Sequence, residues 1–327
     1  MTSTFHQNPA PSSTAAEESQ DRSWLDEVAR AAAGIRSRVL EYTIASNGGY
    51  LSQACSSAEI LSTLYLRTMR LGPSTAPMVP SRFPGVPGAH NTSYRTGGSY
   101  HGLPGPNLDR FFLSPAHYAL ILYAALVEAG RLAPEGLNQF NQDGGTVEMI
   151  GAEHSPGFEM MGGSLAQTLS QAAGIALARQ RRGDSGRVWV FLSDGEFQEG
   201  QTWETIQAMS HYRLDNVGVY VDVNGQQCDG RTRDVMSLDP LEERIGAFGG
   251  RVFVVDGHDP AALDAPARLP SDGRPLFVLC ATDPCRGVPV LEQRRPKLHY
   301  VRFVSSAERE EYRKCHKSML GTPASQE

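Results

Sequence analysis

The sequence predicts an α/β domain with a mostly parallel sheet and helices on both faces. Two apolar runs carry that prediction. Residues 187–192 (Arg-Val-Trp-Val-Phe-Leu) and 217–221 (Val-Gly-Val-Tyr-Val) are short, β-branched and aromatic, as strands buried on both faces are. Residues 199–212 between them read as a helix, so the three form one βαβ unit. The first run ends in Ser193-Asp194-Gly195 and the second in Asp222-Val223-Asn224-Gly225. The crossover brings Asp194 and Asn224 side by side at the carboxyl ends of two strands, where open α/β sheets bind ligands. With a loop carbonyl from Gln226 they make a hard-oxygen set suited to Mg²⁺, which completes its octahedron with phosphate and water. The unit therefore predicts a diphosphate held through a metal.

The other elements follow in order. Residues 1–20 are rich in Ser, Thr, Ala, Gln and Pro and predict a disordered tail. Ser23-x-x-Asp26 reads as a capping box opening a helix to about residue 45, with Asn47-Gly48-Gly49 as a left-handed stop. Ser56-x-x-Glu59 reads as a second capping box, with a helix to about residue 71. Residues 74–106 form a long Pro- and Gly-rich insertion carrying His90 and His101. It is either a floppy surface segment or a lid lining a channel. Residues 118–129 predict a helix buried all round. The helix over 164–181 has small residues along one side, which suits close packing of a neighbour or ordinary core packing. Residues 251–256 and 275–281 predict two more strands, the first ending in Gly257-His258-Asp259. Ser305-x-x-Glu308 caps a last helix to about residue 319, and 321–327 fray. One domain over 21–320 results.

Composition excludes several functions. Of 327 residues, 40% are hydrophobic and 20% charged, enough for an ordinary core. A net charge of −6 argues against nucleic acid as a main partner. No apolar run is long enough to span a bilayer, and the start of the chain lacks the apolar core of a signal peptide. The five cysteines show no metal-type spacing and predict reduced thiols in a cytoplasm.

Several phrases carry a family resemblance. They are Ser193-Asp-Gly-Glu-Phe-Gln-Glu-Gly-Gln-Thr-Trp-Glu204, Asp222-Val-Asn-Gly-Gln-Gln-Cys-Asp-Gly230, Asp256-Gly-His-Asp259 and Asp109-Arg-Phe-Phe-Leu-Ser-Pro-Ala-His117. From about Ser23 to His299 the chain resembles the N-terminal part of the transketolase family, in its split, two-component form. Ser193 replaces the first Gly of the thiamine-diphosphate motif. The resemblance implies thiamine diphosphate and Mg²⁺ as cofactors, with Asp194, Asn224 and the Gln226 carbonyl on the metal. It implies His117, Gly163, Leu165, Gly195, Glu199, Asn224 and His258 on the cofactor side, with Leu165 against the aminopyrimidine. Glu199 matches an interface glutamate, though a helix-start glutamate gives the same residue. His117, His258, His299 and His154 are the implied proton-handling residues. Two departures stand out. Gly49 occupies the place of a substrate-channel histidine, and Gly151-Ala152-Glu153 replaces a Gly-His-Pro. His154, just after, either substitutes for that imidazole or its function is gone.

The resemblance also implies what lies elsewhere. The glutamate that pairs with the aminopyrimidine belongs to a pyrimidine-binding domain that this chain does not carry. A C-terminal partner subunit is expected to supply it, in an α2β2 assembly. Together they would move a two-carbon ketol unit from a ketose or ketose phosphate to an aldehyde. Two alternatives stand beside this: the α-subunit of a 2-oxoacid decarboxylase or dehydrogenase, and a degenerate, non-catalytic scaffold.

Overall fold

The structure is a computed structural model and describes residues 13–321. Parts of both expected tails, 1–12 and 322–327, lie outside the described residues. Helix α1 spans Ser13–Ser46, so it runs through Ser23 and the predicted capping box there does not start it. Its apolar face, with Val28, Ala32, Ile35 and Val39, is buried. Asn47 ends it in the left-handed region at φ 57°, the predicted stop. Helix α2 spans Leu51–Thr63 and is buried at every position. It starts before Ser56, so the second predicted capping box also fails: Ser56 and Glu59 sit mid-helix and reach across to other elements.

Strand β1 (Arg110–Leu113) was not expected, and helix α3 (Ala119–Glu128) follows it. Next come α4 (Gln167–Arg182), β2 (Val188–Ser193), α5 (Gly200–His211) and β3 (Val217–Val223). A small antiparallel hairpin, β4 (Gln226–Gln227) and β5 (Gly230–Arg231), leads into α6 (Thr232–Val235) and α7 (Leu241–Ala247). Strand β6 (Arg251–Asp256), α8 (Pro260–Arg268), β7 (Leu276–Ala281) and α9 (Ser306–Gly321) complete the order.

The main sheet runs β1-β2-β3-β7-β6, and every pairing is parallel. The predicted βαβ unit is β2–α5–β3, in register from Val188 opposite Val217 to Ser193 opposite Asp222. Period-two alternation divides the core. Val188, Val190 and Leu192 face one side with Leu169 of α4 and Ile206 of α5; Trp189 and Phe191 face the other with α1, α2 and α3. Glycine at 218 is required by the Trp189 ring, which occupies the space a Cβ would take. Because all strands are parallel, their carboxyl ends share one edge of the sheet. Among the described residues, no helix is long and apolar enough to cross a membrane.

The long insertion is built into this body. Gly97 and its neighbours are tied to residues 153–157 by backbone bonds from Gly97 N to Glu153 O (2.7 Å) and Gly157 N to Gly97 O (3.0 Å). His101 is buried between Tyr65 Oη (2.8 Å) and Glu159 (3.3 Å), and Arg110 closes on the same glutamate. The stretch from Gly97 onward is therefore wall rather than loose flap.

Candidate active site

At the end of β2, Asp194 is buried. Its Oδ2 accepts hydrogen bonds from Gly225 N (3.0 Å) and Thr232 Oγ1 (3.1 Å). Its Oδ1 is buried without a partner among the described residues, as is Gln226 Oε1. Burial, then the nearby Asp222, pushes the Asp194 carboxyl up to about 7. A buried carboxylate oxygen left unpaired is costly, and a cation removes that cost. Asn224, at the end of β3, turns its Oδ1 to Gln226 N (2.9 Å). Its Nδ2 donates away from that side, to Asp222 Oδ2 (3.0 Å) and Tyr118 Oη (3.1 Å). Gly225, between Asn224 and Gln226, takes φ +66°, which bends the chain around the site. A cavity of about 510 Å³ opens here, lined by Asp194, Asn224, Gln226 and Thr232 among others. The donor set fits a hard divalent cation: one carboxylate oxygen, one amide oxygen and room for phosphate and water.

Helix α2 organises the rest of the edge. Tyr50, just before the helix, and Gln53, Ser56 and Glu59 within it recur at three-residue intervals, a row that winds round the helix so that each meets a different neighbour. Gln53 Nε2 bonds His299 O (3.0 Å) and lies 3.2 Å from its Nδ1. Ser56 donates to Asp222 Oδ2 at 2.5 Å. Glu59 takes Arg36 (2.7 and 2.5 Å) and His258 Nδ1 (3.0 Å). None of these α2 residues was singled out for a site role in the sequence. The available signal was a run of polar side chains at helical spacing in a helix otherwise fit for the core.

His117 and His299 are brought together, ring centroids 5.0 Å apart. Burial, and then His299, pushes His117 down to about 3. Burial also lowers His299. Both rings are neutral at pH 7. Tyr50 packs against both, at 5.2 and 5.6 Å, and Tyr300 lies at 5.0 Å from Tyr50. Gly49 borders the same small cavity as His117, Tyr50 and Tyr300, but a side chain there would point elsewhere. It forms a two-way backbone bridge with Val301, and a Cβ there would lie 2.5 Å from Thr43 Oγ1. The side chain next to the two histidines is that of Tyr50.

The other expected residues divide. His258 sits at the end of β6, but both ring nitrogens are committed. Asp283 N donates to Nε2 (2.8 Å), so Nδ1 carries the proton toward Glu59. No ring nitrogen is left for diphosphate or substrate, so His258 braces the edge. His154 stacks on Phe83 of the insertion (4.3 Å) and lies 3.2 Å from Glu148; no described contact joins it to the other histidines. Gly163 is backed by nothing nearer to a Cβ than Ile150 Cγ2 at 3.9 Å, and Leu165 is half-buried. Buried Glu196 ties that stretch to the turn at Ser193–Gly195. It accepts from Ala166 N (3.0 Å), Ser193 N (3.0 Å) and the Ser114 hydroxyl, closing a capping box the sequence reading passed over. Gly195 packs under the hairpin, where a Cβ would lie 3.7 Å from Gln227 Cβ. Glu199 is exposed at the start of α5 and makes no cap bond, leaving it available to a neighbour.

Residues 105–300 match the thiamine diphosphate binding domain of transketolase. The transketolase family protein y4mO of Sinorhizobium fredii is 36% identical over 82% of this chain and 88% of its own length. The chain belongs to the transketolase family. One subunit of the apulose-4-phosphate transketolase of Actinobacillus succinogenes is 28% identical over 84% of this chain and 91% of itself. The 6-deoxy-6-sulfo-D-fructose transketolase subunit SqwG of a Clostridium species is 31% identical over 76% and 82%. The transketolase of Campylobacter jejuni superposes with a TM-score of 0.71 at 21% identity, covering 93% of this chain and 43% of that one. The likeness confirms the fold, and this chain spans less than half of that transketolase. In extent it corresponds to the N-terminal subunit of a split transketolase. Within the transketolase fold, the cleft at Asp194 and Asn224 and the histidine pair lie on one ligand-binding edge, joined through α2 and Tyr118.

Proposed function

We propose that this chain binds Mg²⁺ and thiamine diphosphate and, with a C-terminal subunit, moves a two-carbon ketol unit from a ketose to an aldehyde. The observation that carries the reading is the orphaned, buried Oδ1 of Asp194 beside the outward-turned amide oxygen of Asn224. Asp194, Asn224 and the Gln226 carbonyl would hold the metal, and the metal the diphosphate. Bound thiamine diphosphate supplies the carbon-centred nucleophile that breaks and forms the carbon–carbon bond. The glycines around Gly163 leave backbone free to approach a flat ring, and Leu165 would pack on it. Neutral His117 and His299 can each accept or donate a proton at substrate hydroxyls, and Tyr50 adds a third polar group beside them. Glu59, Arg36 and Asp283 hold His258 fixed at the strand edge.

The partner is the subunit that would bring the pyrimidine-binding domain and its glutamate, in an α2β2 assembly; exposed Glu199 suits that contact. The apulose-4-phosphate and sulfofructose relatives are named for different sugars, so the split form is not tied to one donor. A cytoplasmic location is part of this proposal, and the five free cysteines support it.

Calorimetric titration of the purified chain with thiamine diphosphate, with and without Mg²⁺, tests the site. Binding is expected only with the metal, and Asp194→Ala is expected to abolish it, with Asn224→Ala weaker in effect. Unchanged Mg²⁺-dependent affinity in Asp194→Ala would sink the assignment.

A further inference from the structure

Asp222 is fully buried and belongs to no ion pair among the described residues, yet it accepts four hydrogen bonds. Ser56 Oγ (2.5 Å), Tyr118 Oη (2.8 Å) and Asn224 Nδ2 (3.0 Å) converge on Oδ2, and Thr282 Oγ1 (2.5 Å) holds Oδ1. The donors come from α2, from the residue preceding α3, from the end of β3 and from the residue after β7. A buried charge without a counter-charge is retained at a cost, and its geometry here shows what it does. The two ends of an asparagine amide are alike in size, but only the oxygen can ligate a cation. Turning the Asn224 amide over would set its oxygen against the Asp222 carboxylate and its NH₂ against Gln226 N. Both contacts are repulsive.

We propose that Asp222 is the positioning residue of the metal site. It fixes the Asn224 amide with oxygen toward the cation and nitrogen away. This inference rests on the metal reading given above. Outer partners of metal ligands are commonly worth about 10- to 100-fold in metal affinity.

The test is the Mg²⁺-dependent dissociation constant of thiamine diphosphate, measured by calorimetry on the folded chain without any activity assay. Asp222→Asn keeps the volume but turns one of the two acceptor oxygens into a donor, so the side chain at 222 no longer dictates which way the Asn224 amide faces, and is expected to weaken binding about 10- to 100-fold. Asn224→Asp alone sets two carboxylates against each other and is also expected to weaken it. The exchange of the two, Asp222→Asn with Asn224→Asp, is expected to recover most of the affinity. A carboxylate at 224 needs no orienting, and an amide at 222 can donate to it. A purely structural part for Asp222 predicts no such rescue, so an exchange as weak as its worse single variant overturns the proposal. So does wild-type affinity in Asp222→Asn. If either single variant fails to fold, Tyr118→Phe removes the hydroxyl that touches both side chains and leaves the Asp222 carboxyl and the Asn224 amide in place. A several-fold weaker constant supports the proposal there, and an unchanged one overturns it. Equal binding by the unsubstituted chain with and without Mg²⁺ is a different failure, and removes the metal reading itself.

Discussion

Tyr50 carries the departure from the family pattern that the sequence reading assigned to Gly49. A glycine opposite a histidine invites the idea of an emptied pocket, but the Gly49 backbone is pinned to Val301 and its neighbour fills the space. The Tyr50 hydroxyl has no hydrogen-bond partner among the described residues and stands beside His117 and His299. Tyr50→Phe is therefore expected to cost about 5- to 10-fold in kcat/KM for an acceptor whose hydroxyl it meets, the worth of one hydrogen bond. Steady-state comparison across aldehydes with and without that hydroxyl checks this; an equal loss for all acceptors removes Tyr50 from substrate choice. Glu59 gives a prediction of another kind. Burial works to raise its carboxyl, but the His258 hydrogen bond and the charge and hydrogen bonds of Arg36 outweigh that and hold it at about 2, against an ordinary 4.5. The folded value lies below the unfolded one, so the unfolded chain binds the proton more tightly. The stabilisation is complete above about pH 4.5 and is lost as pH falls toward about 2, roughly 3 kcal/mol in all. Denaturant unfolding across that window should show a steeper acid loss for the wild type than for Glu59→Gln. Asp194 and Asn224 were legible because a strand-end motif states its own geometry, while His117 and His299 were named only through the family resemblance of the phrases that carry them. Tyr50, Asp222 and Glu196 were not legible, since their roles depend on which distant elements a buried helix touches.

The element hardest to place was the shortest strand of the main sheet. β1 has four residues, and Asp109 ahead of it is spent on Arg187 N (2.8 Å) and the Trp189 ring nitrogen (3.0 Å), contacts no local pattern reveals. Periodicity found the long helices and the four longer strands of the main sheet. Capping boxes were less reliable. Ser305 does cap α9, through Glu308 N at 3.1 Å, while Ser23 and Ser56 lie inside helices where the same spacing arises from a polar stripe. The insertion was left between flap and lid, and the close approach at Gly97 decides it. A Cβ there would overlap Ser155 O and lie 2.5 Å from Phe158 O, so only glycine allows the two segments to touch. Gly97→Ala is expected to destabilise the chain by about 1–3 kcal/mol or more, read as a lowered Tm. No change in Tm would mean that the insertion is held less firmly than these contacts indicate.

At the scale of the whole molecule, the proposed site depends on a glutamate that the partner subunit would bring. The chain alone, saturated with Mg²⁺ and thiamine diphosphate, is expected to show no ketol transfer, and activity is expected to appear when a C-terminal subunit is added. A coupled assay on the two separately purified proteins checks this, and full activity without the partner refutes it. Fold class and site edge were legible because parallel strands announce themselves by composition; the strand order was not, because no local signal tells β7 to enter between β3 and β6. That order has a consequence for synthesis. A chain emerging from the ribosome delivers β1, β2 and β3 early, and they can pair at once. β3 then waits with an open edge of Val217, Val219 and Val221, a template for wrong partners, until residues 276–281 appear. The same late stretch brings Thr282, the last hydroxyl to grip Asp222. A nascent chain stalled before Leu276 thus has neither a closed sheet nor a finished cofactor edge, and is the form most in need of a chaperone.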